Sequence, residues 1–127
     1  MALDQRQWDV RFDSEFFGEF EGWSEQLQDA VLGSLGKLRA FGPSLGRPSV
    51  DTLKESDYPN MKELHVDAQD GVWRIAFAFD PRRRAILLVG GNKSGISKER
   101  FYSALIRVPD DRYKRYLKNI EVEAKQK

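Results

Sequence analysis

The clearest pattern in the chain is an alternation of large apolar residues with small or charged ones between positions 73 and 79. The two alternating sets are Trp73, Ile75, Phe77 and Phe79 on one side, and Arg74, Ala76 and Ala78 on the other. A period of two predicts a β-strand with one bulky apolar face and one face lined by alanine. Arg74 is the charged residue on the alanine-lined face, so we expect the strand to hold it in place with space around it.

The residues after this strand predict a basic turn and a second strand. Asp80-Pro81 favours a turn, and the run Arg82, Arg83 and Arg84 lines it. Residues 85–89 are all apolar, which is typical of a central strand covered on both faces. Glycines then flank Asn92 and Lys93, so we expect polar side chains and backbone amides at the end of this strand. The whole unit predicts a sheet with a positively charged surface of phosphate size.

The first third of the chain predicts a strand followed by a helical hairpin. Residues 8–12 alternate with a period of two and predict a half-buried first strand. Asp13 or Ser14 can cap a short helix that has three phenylalanines on one side. A second helix is expected over about residues 24–41, because its apolar residues follow spacings of three and four. This hairpin is expected to cover one face of the sheet.

A long connection and another strand precede the central strand. Residues 43–60 include four prolines or glycines and predict an extended loop of a kind that is often functional or mobile. Residues 61–66 predict a strand, and Asp70-Gly71 favours a hairpin turn that would pair it antiparallel with the central strand. One register of this pairing puts Glu63 and His65 near Arg74 on the alanine-lined face.

The C-terminal part predicts two helices separated by a proline. The first begins at Ser97 and ends at Pro109, and the second runs from about Asp110. The predicted order is therefore β-α-α-β-β-β-α-α, an α+β fold with a largely antiparallel sheet and helices on one side. We expect a single domain over residues 1–127, with a core over about 8–108 and a helical extension over about 110–124.

Composition excludes several classes of protein and site. The 127 residues include no cysteine and one histidine, which excludes a disulfide framework, cysteine-ligated zinc and any site that needs two histidines. No apolar run approaches the ~18 residues of a membrane-spanning helix, and the N-terminus lacks the layout of a signal peptide. The sequence therefore predicts a cytoplasmic protein that does not contact a membrane.

Charge is distributed unevenly along the chain. Residues 1–70 contain 7 Lys and Arg against 14 Asp and Glu, whereas residues 71–127 contain 14 against 6. A basic half indicates a polyanionic partner, with nucleic acid as the first candidate. An equally open interpretation is that acidic helices pack beside a basic sheet edge.

Several segments, in this order, resemble the RelE/HigB family of toxins from bacterial type II toxin–antitoxin pairs, and in particular its phage-derived Gp49-like HigB branch. They are the helical hairpin, Gly46-Arg47-Pro48, Met61-Lys62-Glu63-Leu64, Gly71-Val72-Trp73-Arg74 and Asn92-Lys93. The resemblance covers about residues 8–108. It implies a RelE-like fold and an endoribonuclease that cleaves messenger RNA, usually on the ribosome. It also implies neutralisation by a small helix-turn-helix antitoxin, and no metal or other cofactor.

The resemblance also implies roles for individual residues. Arg74 would hold the scissile phosphate, and Lys93 would stabilise the transition state. His65 stands where the family pattern usually has arginine, so it is either an acid or base that titrates near neutral pH or a weaker phosphate ligand. The remaining basic and polar residues would contact the RNA: Arg47, Arg82, Arg83, Arg84 and Asn92.

Each of these residues also has a structural interpretation. Arg74 could form an ion pair with Glu63 across the hairpin, and the three turn arginines could simply be solvated. The alternative function is then a noncatalytic module that binds RNA or an antitoxin. The two functions differ in whether Arg74, Lys93 and His65 converge within reach of one phosphate.

Overall fold

The computed structural model describes residues 7–68 and 71–125 and has an α+β fold. Its helices and strands are, in chain order, β1 (Asp9–Phe12), α1 (Ser14–Glu21), α2 (Glu25–Phe41), a 3-10 turn (Gly42–Ser44), β2 (Val50–Thr52), β3 (Met61–Ala68), β4 (Gly71–Phe79), β5 (Arg84–Asn92) and α3 (Lys98–Lys125). The α+β class predicted from the sequence is confirmed. Gln69 and Asp70, the latter part of the predicted hairpin turn, lie outside the described residues.

The strands form one sheet in the order β1-β5-β4-β3-β2. β1 runs parallel to β5, and the other neighbouring pairs are antiparallel. The predicted pairing of β3 with β4 is confirmed, and its register sets His65 directly opposite Arg74. β2 was not predicted, because three residues inside the 43–60 connection are too few to show a period. It pairs with β3 and forms the edge of the sheet.

Helices cover both faces of the sheet, so the prediction of helices on one side is wrong. α1 and α2 pack against the bulky face, where Leu27, Val31 and Leu35 meet Phe77 and Leu87. α3 packs against the alanine-lined face through residues that include Phe101, Leu105 and Tyr113. The physical reason lies in the alanine-lined face itself, since Ala76, Ala78, Ile86 and Leu88 form an apolar patch that a helix must shield from water.

α3 is one helix that continues through Pro109, so the predicted break at this residue is wrong. A proline inside a helix removes one hydrogen bond and costs about 3 kcal/mol. Tertiary contacts on the C-terminal side offset this cost. Arg112 is buried and donates to the backbone oxygen of Leu88 at 2.7 Å and to the carboxylate of Glu19, and Tyr113 is buried in the core.

Gly90 and Gly91 lie inside β5, although the sequence predicted that the strand ends at Val89. Each is small because an aromatic ring lies against the sheet there. A Cβ atom on Gly90 would lie 2.4 Å from the ring of Trp23, in the connection between α1 and α2, and one on Gly91 would lie 3.1 Å from the ring of Phe101 in α3. The two glycines therefore let an aromatic ring approach each face of β5 at the end that carries the candidate site.

Within residues 7–68 and 71–125, no helix is both long and apolar enough to cross a lipid bilayer.

Candidate functional site

The candidate site lies on the alanine-lined face, where β3, β4 and β5 meet the first turns of α3. His65 and Arg74 are cross-strand neighbours, and the side chains of such a pair are about 5 Å apart at Cβ. Glu63 lies two residues before His65 and therefore on the same face of β3. The sequence predicted this grouping, and the register confirms it.

Glu63 is the centre of the site, because one of its oxygens faces three other side chains. Its Oε1 accepts a hydrogen bond from His65 Nε2 at 2.8 Å and from the hydroxyl of Tyr102 at 3.1 Å, and it lies 3.6 Å from Arg74 Nε. The side chain of Glu63 is 7% exposed. A carboxylate in such a place is stable only because cationic and hydrogen-bonding groups surround it.

Arg74 is held in the sheet, but not all of the hydrogen-bond donors of its guanidinium have acceptors there. Its side chain is 13% exposed, and Nη1 donates to the backbone oxygen of Trp73 at 3.0 Å. Its Nε is buried and makes no hydrogen bond with the part of the chain that the structure describes. The contact with Glu63 is therefore an ion pair at a distance rather than the closed two-point bond that arginine and carboxylate can form.

Lys93 joins the site through Tyr102. Its ammonium group lies 5.4 Å from the centre of the Tyr102 ring, within the range of a cation–π contact. Burial raises the pKa of the Tyr102 phenol, and the charge of Glu63 beside it acts in the same direction. The phenol therefore stays protonated and donates its hydrogen bond to Glu63 at neutral pH.

Tyr102 is the site residue that the sequence did not reveal. Phe101, the residue before it, packs on the sheet. Tyr102 is the next residue in the helix, and its side chain lies towards β3. The pattern in α3 marks Phe101 as buried, but the direction of Tyr102 depends on how the helix crosses the sheet. The place of Tyr102 in the site therefore follows only from the tertiary structure.

A cleft of about 510 Å³ opens beside this cluster, between the edge strand β2 and α3. Its lining includes Asp51, Glu63, Lys98 and Tyr102. Arg47 lies at the same side of the sheet, where its exposed guanidinium pairs with Asp51 at 3.0 Å. A hydrogen bond from the backbone amide of Thr52, together with Arg47, lowers the pKa of Asp51. The structure therefore brings Arg47 close to the strand that carries His65.

Asn92 stands at the end of β5 in a structural position. Its Oδ1 accepts hydrogen bonds from the backbone amides of Val72 at 3.2 Å and Ser94 at 3.0 Å. These bonds fix the turn that leads into Lys93, whose own amide donates to the oxygen of Val72 at 2.7 Å. Asn92 therefore sets the direction of Lys93, and its contact with RNA stays a prediction.

The three turn arginines lie at the opposite end of the β4–β5 hairpin. Asp80 is six positions after Arg74 along an extended strand, which corresponds to about 20 Å. The structure therefore does not bring Arg82, Arg83 and Arg84 to Arg74, and their role in RNA binding stays a prediction.

Each turn arginine contacts its own chain. Arg82 reaches the C-terminal end of α3, 3.4 Å from the backbone oxygen of Ile120. The Arg83 guanidinium stacks 4.6 Å above the ring of Trp8, and Arg84 Nε donates to Asp80 at 2.7 Å.

Comparison with known proteins identifies the family to which this chain is similar. The family model of phage-derived Gp49-like proteins (DUF891) matches residues 18–114. The candidate toxin HigB3 of Mycobacterium tuberculosis is 47% identical over 88 residues, which are 69% of this chain and 75% of that protein. The candidate toxin HigB2 of the same organism is 38% identical over 101 residues, 79% of this chain, and this chain spans half of its length.

A solved structure shows the same fold at low sequence identity. It is that of a double arginine-to-alanine mutant of the Escherichia coli toxin RelE in the free state, with a TM-score of 0.52 and 11% identity, covering 80% of this chain and 98% of that one. The resemblance found in the sequence is thereby confirmed. The chain belongs to the Gp49-like family and is a RelE/HigB-type toxin of a toxin–antitoxin system.

Proposed function

We propose that this toxin is an endoribonuclease that cleaves messenger RNA on the ribosome without a metal ion, and that a cognate helix-turn-helix antitoxin neutralises it. One observation carries the proposal: Arg74, His65 and Lys93 gather around the Glu63–Tyr102 pair, which lines a cleft. These three residues supply a permanent positive charge, an imidazole and an ammonium ion. Family membership supports the antitoxin as a partner.

The reaction that suits these groups is attack by a ribose 2′-hydroxyl on the adjacent phosphate. The 2′-oxygen forms a bond to phosphorus, the bond to the 5′-oxygen breaks, and the leaving oxygen takes a proton from water in the open cleft. In this proposal Arg74 holds the phosphate with its Nη atoms, because a guanidinium offers two parallel donors to two oxygens. Lys93 adds a second positive charge as the negative charge on the phosphate increases.

His65 is proposed as the base that accepts the proton of the 2′-hydroxyl. Glu63 accepts a hydrogen bond from Nε2 at 2.8 Å, which fixes the ring and leaves Nδ1 as the nitrogen that can take a proton. A carboxylate that orients a histidine and favours its protonated form is a common arrangement in catalytic sites. Arg47, which is 75% exposed and adjacent to this region, is proposed to contact the RNA backbone.

A second candidate function is a noncatalytic module that binds RNA or the antitoxin. The observation that favours it is the low exposure of Arg74, whose Nη1 is bonded to its own backbone while Nε faces Glu63. If RNA does not displace these contacts, Arg74 cannot bind the phosphate. The basic surface then binds RNA or the antitoxin without cleavage.

The two functions are separated by induced expression with mapping of new 5′ ends in cellular messenger RNA. We expect the wild type to arrest growth and create new ends, and Arg74→Ala to lose both, with cleavage lower by about 100-fold or more because a transition-state charge contact is gone. Arg39→Ala on α2, the helix that covers the other face, is the matched arginine control and should behave as the wild type.

The outcome that contradicts the nuclease is a soluble, folded wild-type protein that causes neither arrest nor new ends. Arrest without new ends in wild type and Arg74→Ala alike would favour the binding module.

A further inference from the structure

Two donor groups, those of His65 and Arg74, lie close enough to the Glu63 carboxylate to compete for it. His65 Nε2 donates to Oε1, while Arg74 Nε lies 3.6 Å from the same oxygen and is buried without a hydrogen bond to the described part of the chain. A guanidinium is permanently charged, whereas an imidazole is largely neutral at pH 7, so the arginine is the stronger competitor for a carboxylate. Something else must keep Glu63 away from Arg74.

The hydroxyl of Tyr102 is in the position to do this. It comes from α3, on the side away from the β3–β4 pair, and donates to the same Oε1 at 3.1 Å. The phenol is a neutral donor whose pKa is raised by its burial, so it keeps its proton across the neutral range. With the hydroxyl of Tyr102 and Nε2 of His65 both bonded to Oε1, the carboxylate stays at His65, and Arg74 faces the Tyr102 hydroxyl as well as the carboxylate.

We propose that Tyr102 is a positioning residue that holds Glu63 towards His65 and so prevents Glu63 from closing on Arg74. Without this hydroxyl, Glu63 moves the few tenths of an ångström that separate the present 3.6 Å contact from a hydrogen bond. The hydrogen bond from His65 then weakens, and Arg74 Nε gains a carboxylate acceptor. The consequence for catalysis rests on the proposed function, but the arrangement of Glu63 does not.

The histidine provides a direct readout because the chain has a single one. The ring nitrogen signals of His65 in a ¹⁵N-labelled protein report its tautomer without interference from another imidazole. The charged and titratable groups that face or neighbour His65 are Asp51 on β2, Glu63 on β3, Arg74 on β4, Tyr102 on α3 and Arg47 in the loop before β2.

The test is the ¹⁵N spectrum of the neutral His65 ring in the full chain as wild type and as Tyr102→Phe. We expect the wild type to carry its proton on Nε2, and the share of this tautomer to fall at least twofold in Tyr102→Phe, because the carboxylate that accepts the Nε2–H hydrogen bond has moved towards Arg74. Glu63→Gln replaces the carboxylate with a weaker, neutral acceptor and should lower the share of the Nε2–H tautomer at least as much.

The matched control is Tyr58→Phe, which removes a tyrosine hydroxyl beside the same helix. The Tyr58 ring packs edge-on against Tyr113, in the apolar cluster between α3 and the alanine-lined face. We expect the tautomer of His65 to be unchanged in this variant. The amide spectrum of each variant checks its fold, and Tyr102→Leu repeats the test if Tyr102→Phe does not fold.

Two outcomes would overturn the inference. An unchanged share of the Nε2–H tautomer in Tyr102→Phe would mean that Glu63 holds its place without the phenol. A raised share would mean that the phenol only withdraws charge from the carboxylate and does not position it. A lowered share in a protein that cleaves no RNA would support the positioning and contradict the proposed function, and cleavage with an unchanged share would do the reverse.

Discussion

The two ends of the β4–β5 hairpin both carry arginine but use it differently. At the turn, Asp80 accepts hydrogen bonds from the amides of Arg82 and Arg84, from Arg84 Nε at 2.7 Å and from the Tyr116 hydroxyl. At the other end, Arg74 Nε stays 3.6 Å from Glu63. Each end has one buried nitrogen without a hydrogen bond in the described chain, Arg84 Nη2 and Arg74 Nε, but only at the turn is the carboxylate closed on the guanidinium.

The difference shows that the surroundings of an arginine, rather than its presence in a basic segment, decide its role. Burial alone would raise the pKa of Asp80, but its hydrogen bonds to Tyr116, Arg84 and the turn amides outweigh burial and hold the pKa below its usual value. This group therefore contributes to stability above about pH 4 and loses that contribution as the pH falls through its folded-state pKa. The turn end therefore stabilises the fold through a closed ion pair, whereas at the other end the Arg74–Glu63 pair stays open at 3.6 Å.

The largest effect on stability is expected from Asp80→Ala. The side chain of Asp80 is fully buried, and its removal leaves Arg84 and two turn amides without their acceptor. Loss of one partner from a buried charged pair costs about 3 to 5 kcal/mol, so the free energy of unfolding should fall by that amount. Urea denaturation measures it. A loss below about 1 kcal/mol would show that the turn does not depend on this carboxylate and would remove the contrast between the two ends.

The end of the hairpin that carries Arg74 could be predicted from the sequence more fully than the turn end. The period of two in β4 fixed the face of Arg74, and the hairpin pattern was enough to place His65 beside it, because both follow from local geometry. The contacts of the turn arginines with Trp8 and Ile120 join residues more than 35 positions apart in the sequence. No local pattern records such contacts.

The same limit explains what was missed at the site. α3 continues across Pro109 because Arg112 and Tyr113 anchor its second half, and neither anchor is visible as a helical signal. The direction of Tyr102 follows from the placement of that helix on the alanine-lined face. The strands could thus be derived from the sequence, whereas the helix that completes the site depended on tertiary contacts.

A smaller effect is expected where the arginine is only loosely paired. Arg74→Met removes a guanidinium whose Nε has no hydrogen bond and replaces it with an apolar chain on an alanine-lined face. Removal of one partner of a closed buried pair costs about 3 to 5 kcal/mol, but this pair is open at 3.6 Å and Glu63 keeps its hydrogen bonds from His65 and Tyr102, so we expect the free energy of unfolding to fall by only about 1 to 2 kcal/mol.

The matched variant at the turn is Arg84→Met, which leaves the fully buried Asp80 without its guanidinium. We expect it to cost about 3 kcal/mol in the same urea experiment. Equal losses from Arg74→Met and Arg84→Met would contradict the view that the closed pair at the turn contributes more to stability than the open pair at Glu63.

The smallest effect is expected from Arg83→Gly, where two contributions oppose each other. Arg83 has φ of 63°, in the left-handed region, and glycine adopts this conformation without the strain of a Cβ atom. Relief of this strain gains about 1 kcal/mol, while loss of the stacking on Trp8 costs about 0.5 to 1 kcal/mol. The free energy of unfolding should therefore change by less than about 0.5 kcal/mol. Arg83→Ala, which loses the stacking but keeps the strain, should be less stable than Arg83→Gly. If the two variants are equally stable, the left-handed backbone at Arg83 carries no strain, and the cation–π contact alone sets the effect of this residue.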